Sequence, residues 1–302
     1  MQTPLVFTIF NRPEMTARVL AEIRQACPAR LFVIADGPRP SQPRDAERCA
    51  TARAVIEQVD WDCTVSLNYS DINLGIRQRM ASGLSWVFEQ VETAIVLEDD
   101  CLPHPSFFPF CEELLERYGA DERVMHISGS NFQFGQRRTP YSYYFSRYNH
   151  GVGWASWRRA WQHFDVEMKL WPEVKERGVL KDILEEAQAV SNWTRAFQRV
   201  YDKQVDSWAY CWTFACWVQS GLSILPQVNL LSNIGFGPDS THTKNPRSRF
   251  ANMPVEALEF PLRHPPFVVR DGVADRLTQQ NNYRRSLLAQ AGSRLLHWMA
   301  KN

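Results

Sequence analysis

What this 302-residue chain lacks narrows its chemistry before any motif is considered. It has almost no net charge: 34 Lys and Arg stand against 33 Asp and Glu, so no basic field exists to attract nucleic acid, which is not expected as a partner. Its seven cysteines, at 27, 49, 63, 101, 111, 211 and 216, include no CxxC pair and no zinc-type spacing. Their odd number and scatter read as reduced thiols in a cytoplasmic protein. No basic segment followed by an apolar run opens the chain, so no secretory leader is expected. The uncharged stretch from Ser207 to Pro238 is broken by Gln219, Gly221, Pro226 and Asn229. No apolar run of ~20 residues, the length needed to cross a bilayer, survives in it. There is no internal repeat and no low-complexity tract.

What is present is the composition of a globular protein, 44% apolar and 22% charged, long enough for one large α/β domain or one with an appended subdomain. Eleven tryptophans are many; most are expected in the core, and a cluster with exposed faces would suit sugar rings.

The first 130 residues alternate strand and helix signals. Leu5–Phe10 reads as a strand, and Asn11-Arg12-Pro13-Glu14 as a turn into a helix over Met15–Gln25. Leu31–Ala35 is a second strand ending at the turn Asp36-Gly37-Pro38. A polar, Arg-rich segment leads into a helix ending near Gln58. Thr64–Leu67, a helix across Gln78–Val91 and the strand Ala94–Leu97 follow. Such alternation predicts parallel strands joined by right-handed crossovers, with ligands bound beyond their carboxyl ends. Asn11-Arg12, Asp36, Asn73–Gly75 and Glu98–Asp100 all fall at those ends.

Further on, Phe107–Tyr118 reads as a helix, and Val124–Ser128 and Tyr141–Phe145 as strands. Gly151–Trp157 reads as a Gly-Trp loop entering a helix, and Leu180–Tyr201 and Trp208–Gln219 as helices. Short strands and loops follow Leu222. The tail Arg284–Lys301 is a basic amphipathic helix that either caps the domain or lies on an anionic membrane surface.

The densest signal is Ala94-Ile95-Val96-Leu97-Glu98-Asp99-Asp100, a buried strand running into three consecutive carboxylates. Three acids repel one another unless something cationic sits among them. A divalent metal carrying a diphosphate fits that need, because hard cations prefer carboxylate oxygen and leave positions open for phosphate. The alternative is a solvated acidic turn.

On these residues the chain resembles the GT-A fold glycosyltransferases, and within them N-acetylglucosaminyltransferase I and its bacterial relatives. Four segments carry the resemblance in order: the opening strand with Asn11-Arg12-Pro13; Gly75–Glu89 leading into Glu98-Asp99-Asp100 and Pro105-Ser106-Phe107-Phe108; Gly151-Val152-Gly153-Trp154; and Ser207-Trp208 followed by Gly221–Ile224 and Asn233-Ile234-Gly235. It implies a Rossmann-like α/β fold with a mixed, mainly parallel sheet flanked by helices. A transferase domain would span 1–245, with a nucleotide-binding half (1–130) and an acceptor-binding half (131–245). A C-terminal extension would cover 246–302.

The resemblance also implies residue roles. Asp100 would ligate Mn²⁺ or Mg²⁺ bridging the phosphates of a nucleotide-sugar, with Glu98 and Asp99 accepting hydrogen bonds from ribose hydroxyls or metal-bound water. Asp36 would read the uracil edge, in the same site as Asn73, and Arg12 or Arg77 would pair with the diphosphate. These roles suit the side chains, since carboxylates accept O–H donors and guanidinium forks match phosphate. Arg77 and Arg79 are alternatively solvent-facing helix charges. His242 would complete the metal shell or bind phosphate, and Lys244 would neutralise the leaving group. Trp154 and Trp208 are candidates for acceptor stacking.

Inverting sugar transfer needs one base for the acceptor hydroxyl. In the resembling enzymes it is an Asp directly after a Trp, but here Trp208 is followed by Ala209. Either Asp206, three residues upstream, supplies the base, or Ala209 stands where an Asp belonged and the chain turns over poorly. The function expected is metal-dependent, inverting transfer from a UDP-sugar such as UDP-GlcNAc to a glycan, lipid-linked or protein acceptor. It would take place in the cytoplasm, free or at the inner face of the membrane. A nucleotide-sugar-binding pseudoenzyme is one alternative. A nucleotidyltransferase is the other, disfavoured because Leu5–Glu14 contains no glycine for a phosphate loop.

Overall fold

The computed structural model describes residues 1–237 and 245–283. Its elements run β1 (Leu5–Ile9), α1 (Pro13–Ala26), β2 (Arg30–Ala35), α2 (Asp45–Ala54), β3 (Thr64–Tyr69), α3 (Ile76–Phe88), β4 (Thr93–Glu98), β5 (Cys101–Pro103) and α4 (Phe107–Arg117). There follow β6 (Val124–Ser128), β7 (Tyr143–Ser146), β8 (Trp154–Trp157), α5 (Arg158–Trp161), α6 (Trp171–Glu176), α7 (Leu180–Ile183) and α8 (Ala187–Tyr201). The remainder is α9 (Trp208–Val218), β9 (Leu222–Pro226), β10 (Leu231–Asn233) and α10 (Gly272–Thr278).

Eight strands form one sheet in the order β3-β2-β1-β4-β8-β6-β9-β7. The first four are parallel neighbours, and β8 runs antiparallel between β4 and β6. The α/β class read from the alternation, and the mixed, mainly parallel sheet implied by the resemblance, are therefore those observed. Strand alternation sends successive apolar residues to opposite faces, which is why the strands read as unbroken hydrophobic runs. Leu5, Phe7, Leu31, Val33, Ile95 and Leu97 pack under α1 and α4 with Val19, Ile23 and Leu114. Val6, Phe32, Ile34, Ala94 and Val96 pack on the other face under α3, α8 and α9 with Leu84, Phe197 and Trp212.

Two local expectations are corrected. Gly151–Trp157 does lead into a helix, the short α5, but its last four residues are not loop: Trp154–Trp157 pairs with Thr93–Val96 as a central strand. Its aromatic content is satisfied on both faces of the sheet, so no helical period was there to find. The helix expected over Leu180–Tyr201 is interrupted after Ile183, where Leu184 and Glu186 adopt extended backbone.

The segment around α10 packs back on the sheet. Asp275 in α10 accepts hydrogen bonds from Ser146 Oγ (2.6 Å) and Arg147 Nε (3.1 Å) on and after β7. The tail helix expected over Arg284–Lys301 lies outside the described residues. Among the described residues no helix is long and apolar enough to cross a membrane, and all seven cysteines are free thiols.

Candidate functional site

The carboxyl ends of β1, β2 and β4 open into a cleft of about 480 Å³. Its walls carry Phe10 and Arg12 after β1, Asp36 after β2, Asn73 and Gly75 before α3, Glu98–Asp100 after β4, and Asp206–Ala209 at the start of α9. The separate strand-end segments singled out in the sequence thus meet in one place.

The cation among the three acids is Arg12. Its guanidinium spans two carboxylates, one nitrogen ion-paired to Asp99 and Nη1 donating to Asp100 Oδ2 at 3.0 Å. Burial disfavours the Arg12 charge, but Asp99 and Asp100 more than offset it and its pKa is raised. Asp99 also accepts the Phe10 amide at 3.2 Å. Burial, opposed by Arg12, pushes Asp99 up to about 6. Arg12, expected with Arg77 as a partner for the diphosphate, lines the cleft with its guanidinium already paired to these two acids.

Glu98 differs from its neighbours. Burial, then the charges of Asp100 and Asp99, push it up to about 8. No side-chain partner for it occurs among the described residues. Its register partner on β1 is Thr8, which points to the same face and whose buried hydroxyl is also without a partner. Against Asp100 lies Gly235, after β10: a Cβ there would sit 2.2 Å from Asp100 Oδ2. Only glycine allows that approach. No group of three or more His, Cys, Asp or Glu side chains able to hold a metal occurs among the described residues. Glu98 and Asp100 are an oxygen pair, which suits a hard cation that takes one or two carboxylates and completes its shell with phosphate and water.

Asp36 lines the cleft, but its acceptor positions are used inside the protein. Oδ1 takes the amides of Gly37 and Leu74, and Oδ2 takes the Gly75 amide and Asn73 Nδ2, all at 2.9–3.1 Å. With about four lone-pair sites on a carboxylate, none is left for a base edge. The uracil-reading role is corrected to that of a post holding the Asn73–Gly75 loop against β2. Burial raises its pKa, with those backbone donors opposing.

Both helix arginines are buried, so neither is a solvent-facing charge. Arg77 is not a cleft residue: its guanidinium turns toward α8, donating to the Val200 carbonyl at 2.9 Å and facing Glu167. Arg79, one residue pair along the helix, does line the cleft. It donates to the backbone and side-chain oxygens of Asn68, both at 2.6 Å, while its Nε is buried without a partner.

Asp206 lines the cleft as a helix cap. Its oxygens accept the Ile76 and Arg77 amides at 3.0 and 3.1 Å, satisfying two orphan donors at the start of α3. Ala209 lies in the first turn of α9 and faces the cleft. Trp208 shares that wall, its ring 3.3 Å from where a Cβ on Gly151 would be. Trp154 is corrected as a stacking platform: it is 0% exposed, stacked between His126 and Trp208, and no face remains for a sugar. His126 accepts Trp212 Nε1–H on Nδ1, so its Nε2–H donates to the His150 carbonyl, and burial holds its pKa down to about 3. His242 and Lys244 lie outside the described residues.

Sequence reasoning did not single out Thr8, Phe10 or Arg39 as cleft residues. Phe10 and Thr8 sit at the end of the first strand, where the topological rule alone points to them. Arg39 lies over the Phe10 ring at 5.4 Å and pairs with Asp45, a position no local pattern marks.

No protein-family model and no curated protein matches this sequence. Solved structures do. The chain is similar to the galactosyltransferase LgtC in complex with donor and acceptor sugar analogues, at 15% identity and a TM-score of 0.35, over 60% of this chain and 66% of that one. It is similar to a UDP-glucose pyrophosphorylase complexed with UDP-glucose at 13% identity and a TM-score of 0.29, over 48% and 62%. It is also similar to a cytidylyltransferase from Leptospira borgpetersenii at 11% identity and a TM-score of 0.32, over 58% and 71%. The match to LgtC and to the pyrophosphorylase spans less than two thirds of either protein.

Proposed function

We propose that this chain is a transferase that binds a nucleotide-diphospho-sugar, such as a UDP-sugar, in the cleft beyond β1, β2 and β4. The observation that carries the reading is the pair Glu98 and Asp100 at the end of β4. Both line the cleft; Glu98 has no side-chain partner among the described residues, and Asp100 shares the Arg12 guanidinium with Asp99 between them. Mn²⁺ or Mg²⁺ is the group such a pair would hold, through Asp100 with Glu98, and when bound it would supply countercharge to the diphosphate. Phe10 would offer its aromatic ring to a nucleobase, and Asp36 holds in place the Asn73–Gly75 loop that also lines the cleft.

The acceptor hydroxyl, on a glycan, lipid-linked or protein acceptor, would enter beside the first turn of α9. Asp206 holds two backbone amides and Ala209 carries no proton acceptor, so this chain favours donor binding over turnover. That supports a second reading, a nucleotide-sugar-binding protein that retains the cleft and lacks the base.

Calorimetric titration with UDP, with and without Mn²⁺, tests the donor site. Binding is expected to depend on Mn²⁺ and to be lost in Asp100→Ala; binding indifferent to both would falsify the assignment. Assay of Ala209→Asp with UDP-sugars separates the two readings, since a restored base should add about 10²–10⁴ in rate if the rest of the machinery is intact.

A further inference from the structure

We propose that the acceptor is a sugar carrying an anionic group, held in two cavities that continue from the cleft; this rests on reading the cleft as the donor site. A second cavity, of about 250 Å³, shares Gly151, Trp208 and Ala209 with the cleft. A third, of about 200 Å³, shares Trp193, Tyr210 and Tyr283 with the second. Ala209 and Tyr210 are consecutive, so the first turn of α9 borders all three in succession.

The chemistry changes along this line. Among the described residues the second cavity is lined by no acidic or basic side chain apart from His150, which burial keeps neutral. Its walls are aromatic, with Phe132, Trp208 and Tyr210, interrupted by the polar pair Asn149 and Thr213, bonded at 2.6 Å. Flat apolar faces broken by a few neutral polar atoms suit a pyranose ring, whose C–H face is apolar and whose rim is hydroxyl.

The third cavity is different. Arg195 and Arg199 line it one helical turn apart on α8, together with Asn192 and Asn282, and among the described residues no acid lines it. Neither guanidinium makes an ion pair or side-chain hydrogen bond among the described residues. Both side chains are exposed, whereas Arg12 and Arg147, largely buried, are matched to carboxylates. Like charges at this spacing repel. A phosphate or carboxylate between them would turn that repulsion into charge-assisted hydrogen bonds in fork geometry. The two cavities together therefore describe a ring next to the reacting position and an anion beyond it.

The full-length protein, Arg195→Ala/Arg199→Ala and Arg195→Lys/Arg199→Lys should be titrated by ligand-observed NMR. The probes are methyl glucoside, methyl galactoside and methyl mannoside, the matching methyl uronosides and glycosyl phosphates, and inorganic phosphate. Anionic sugars are expected to bind about tenfold or more tightly than their uncharged parents, as hydrogen bonds to a charged group imply. The double Ala variant should lose that preference and the double Lys variant keep part of it. Comparison of uronoside with phosphate identifies the anion. The proposal is overturned if uncharged sugars bind equally well, if no anionic sugar binds, if the double Ala variant keeps the preference, or if inorganic phosphate binds as tightly as the glycosyl phosphates. UDP with Mn²⁺ is titrated against all three proteins: its failure to bind any of them refutes the donor reading separately, while its intact binding to the double Ala variant shows that the variant is folded.

Discussion

Gly75 and Asp206 stand so close that a Cβ on residue 75 would lie 2.7 Å from Asp206 Oδ2. The glycine, at a φ of 78°, lets the carboxylate reach over it to the first amides of α3. Asp206→Ala should leave those amides uncapped and lower stability by about 0.5–2 kcal/mol. Gly75→Ala, which adds backbone strain to displacement of the cap, should cost at least as much. Thermal unfolding measures both. An Asp206→Ala protein as stable as the parent would refute the capping role.

Arg12 is the countercharge of the acid triplet, so removing it strands Asp99 in the interior. Arg12→Met should destabilise the chain by about 3–5 kcal/mol, the usual cost of breaking a buried pair from one side. Asp99→Asn in that background should recover much of the loss. Urea unfolding of the two single variants and the double variant provides the coupling energy, and additive losses would mean that the two residues act independently.

Glu98 makes the metal-free protein sensitive to alkali. Its pKa rises from an ordinary 4.5 to about 8 in the fold, first through burial and then through Asp100 and Asp99. Between those values the native state binds the extra proton, so its stabilising contribution is full below about pH 4.5 and is lost as pH rises through about 8. Melting temperatures across that window, with chelator present, should fall less steeply in Glu98→Gln than in the parent. Divalent metal binding near neutral pH should release a proton, visible as a buffer-dependent heat.

Trp154 should behave as a core residue. Trp154→Ala leaves a cavity among Trp161, Trp208 and Trp212 and is expected to cost about 3–5 kcal/mol. Trp154→Phe should keep most of the stability and leave UDP affinity unchanged. A sugar affinity that falls in Trp154→Phe without a change in melting temperature would restore its reading as a binding platform.

The parallel half of the sheet was legible because each strand is a short apolar run followed at once by turn chemistry. Leu31–Ala35 before Asp36-Gly37-Pro38 is an example, and the observed β2 differs by one residue. The strand β8 was not legible, since Gly151-Val152-Gly153 before Trp154-Ala155-Ser156-Trp157 signals a loop, and its pairing partners lie about sixty and thirty residues upstream in β4 and β6. The cleft was legible as a set of strand ends. The functions of its side chains were less so. Arg77 and Arg79 look interchangeable in sequence, yet one turns to Val200 and the other to Asn68 because they lie on different sides of α3.

By itself the sequence determined the order of strands and helices as far as β4, the burial of those strands, and the placing of three acids at one strand's carboxyl end. Those follow from local apolar period and turn chemistry, which act over a few residues. Tertiary structure decided the partners: Arg12 for Asp99 across 87 residues, and Asp206 for the amide of Ile76 across 130. It also decided that Trp154 is core and that α9 borders three cavities in succession. Charges and caps such as these find partners through packing, and that is set by which elements meet, a property no short window of sequence contains.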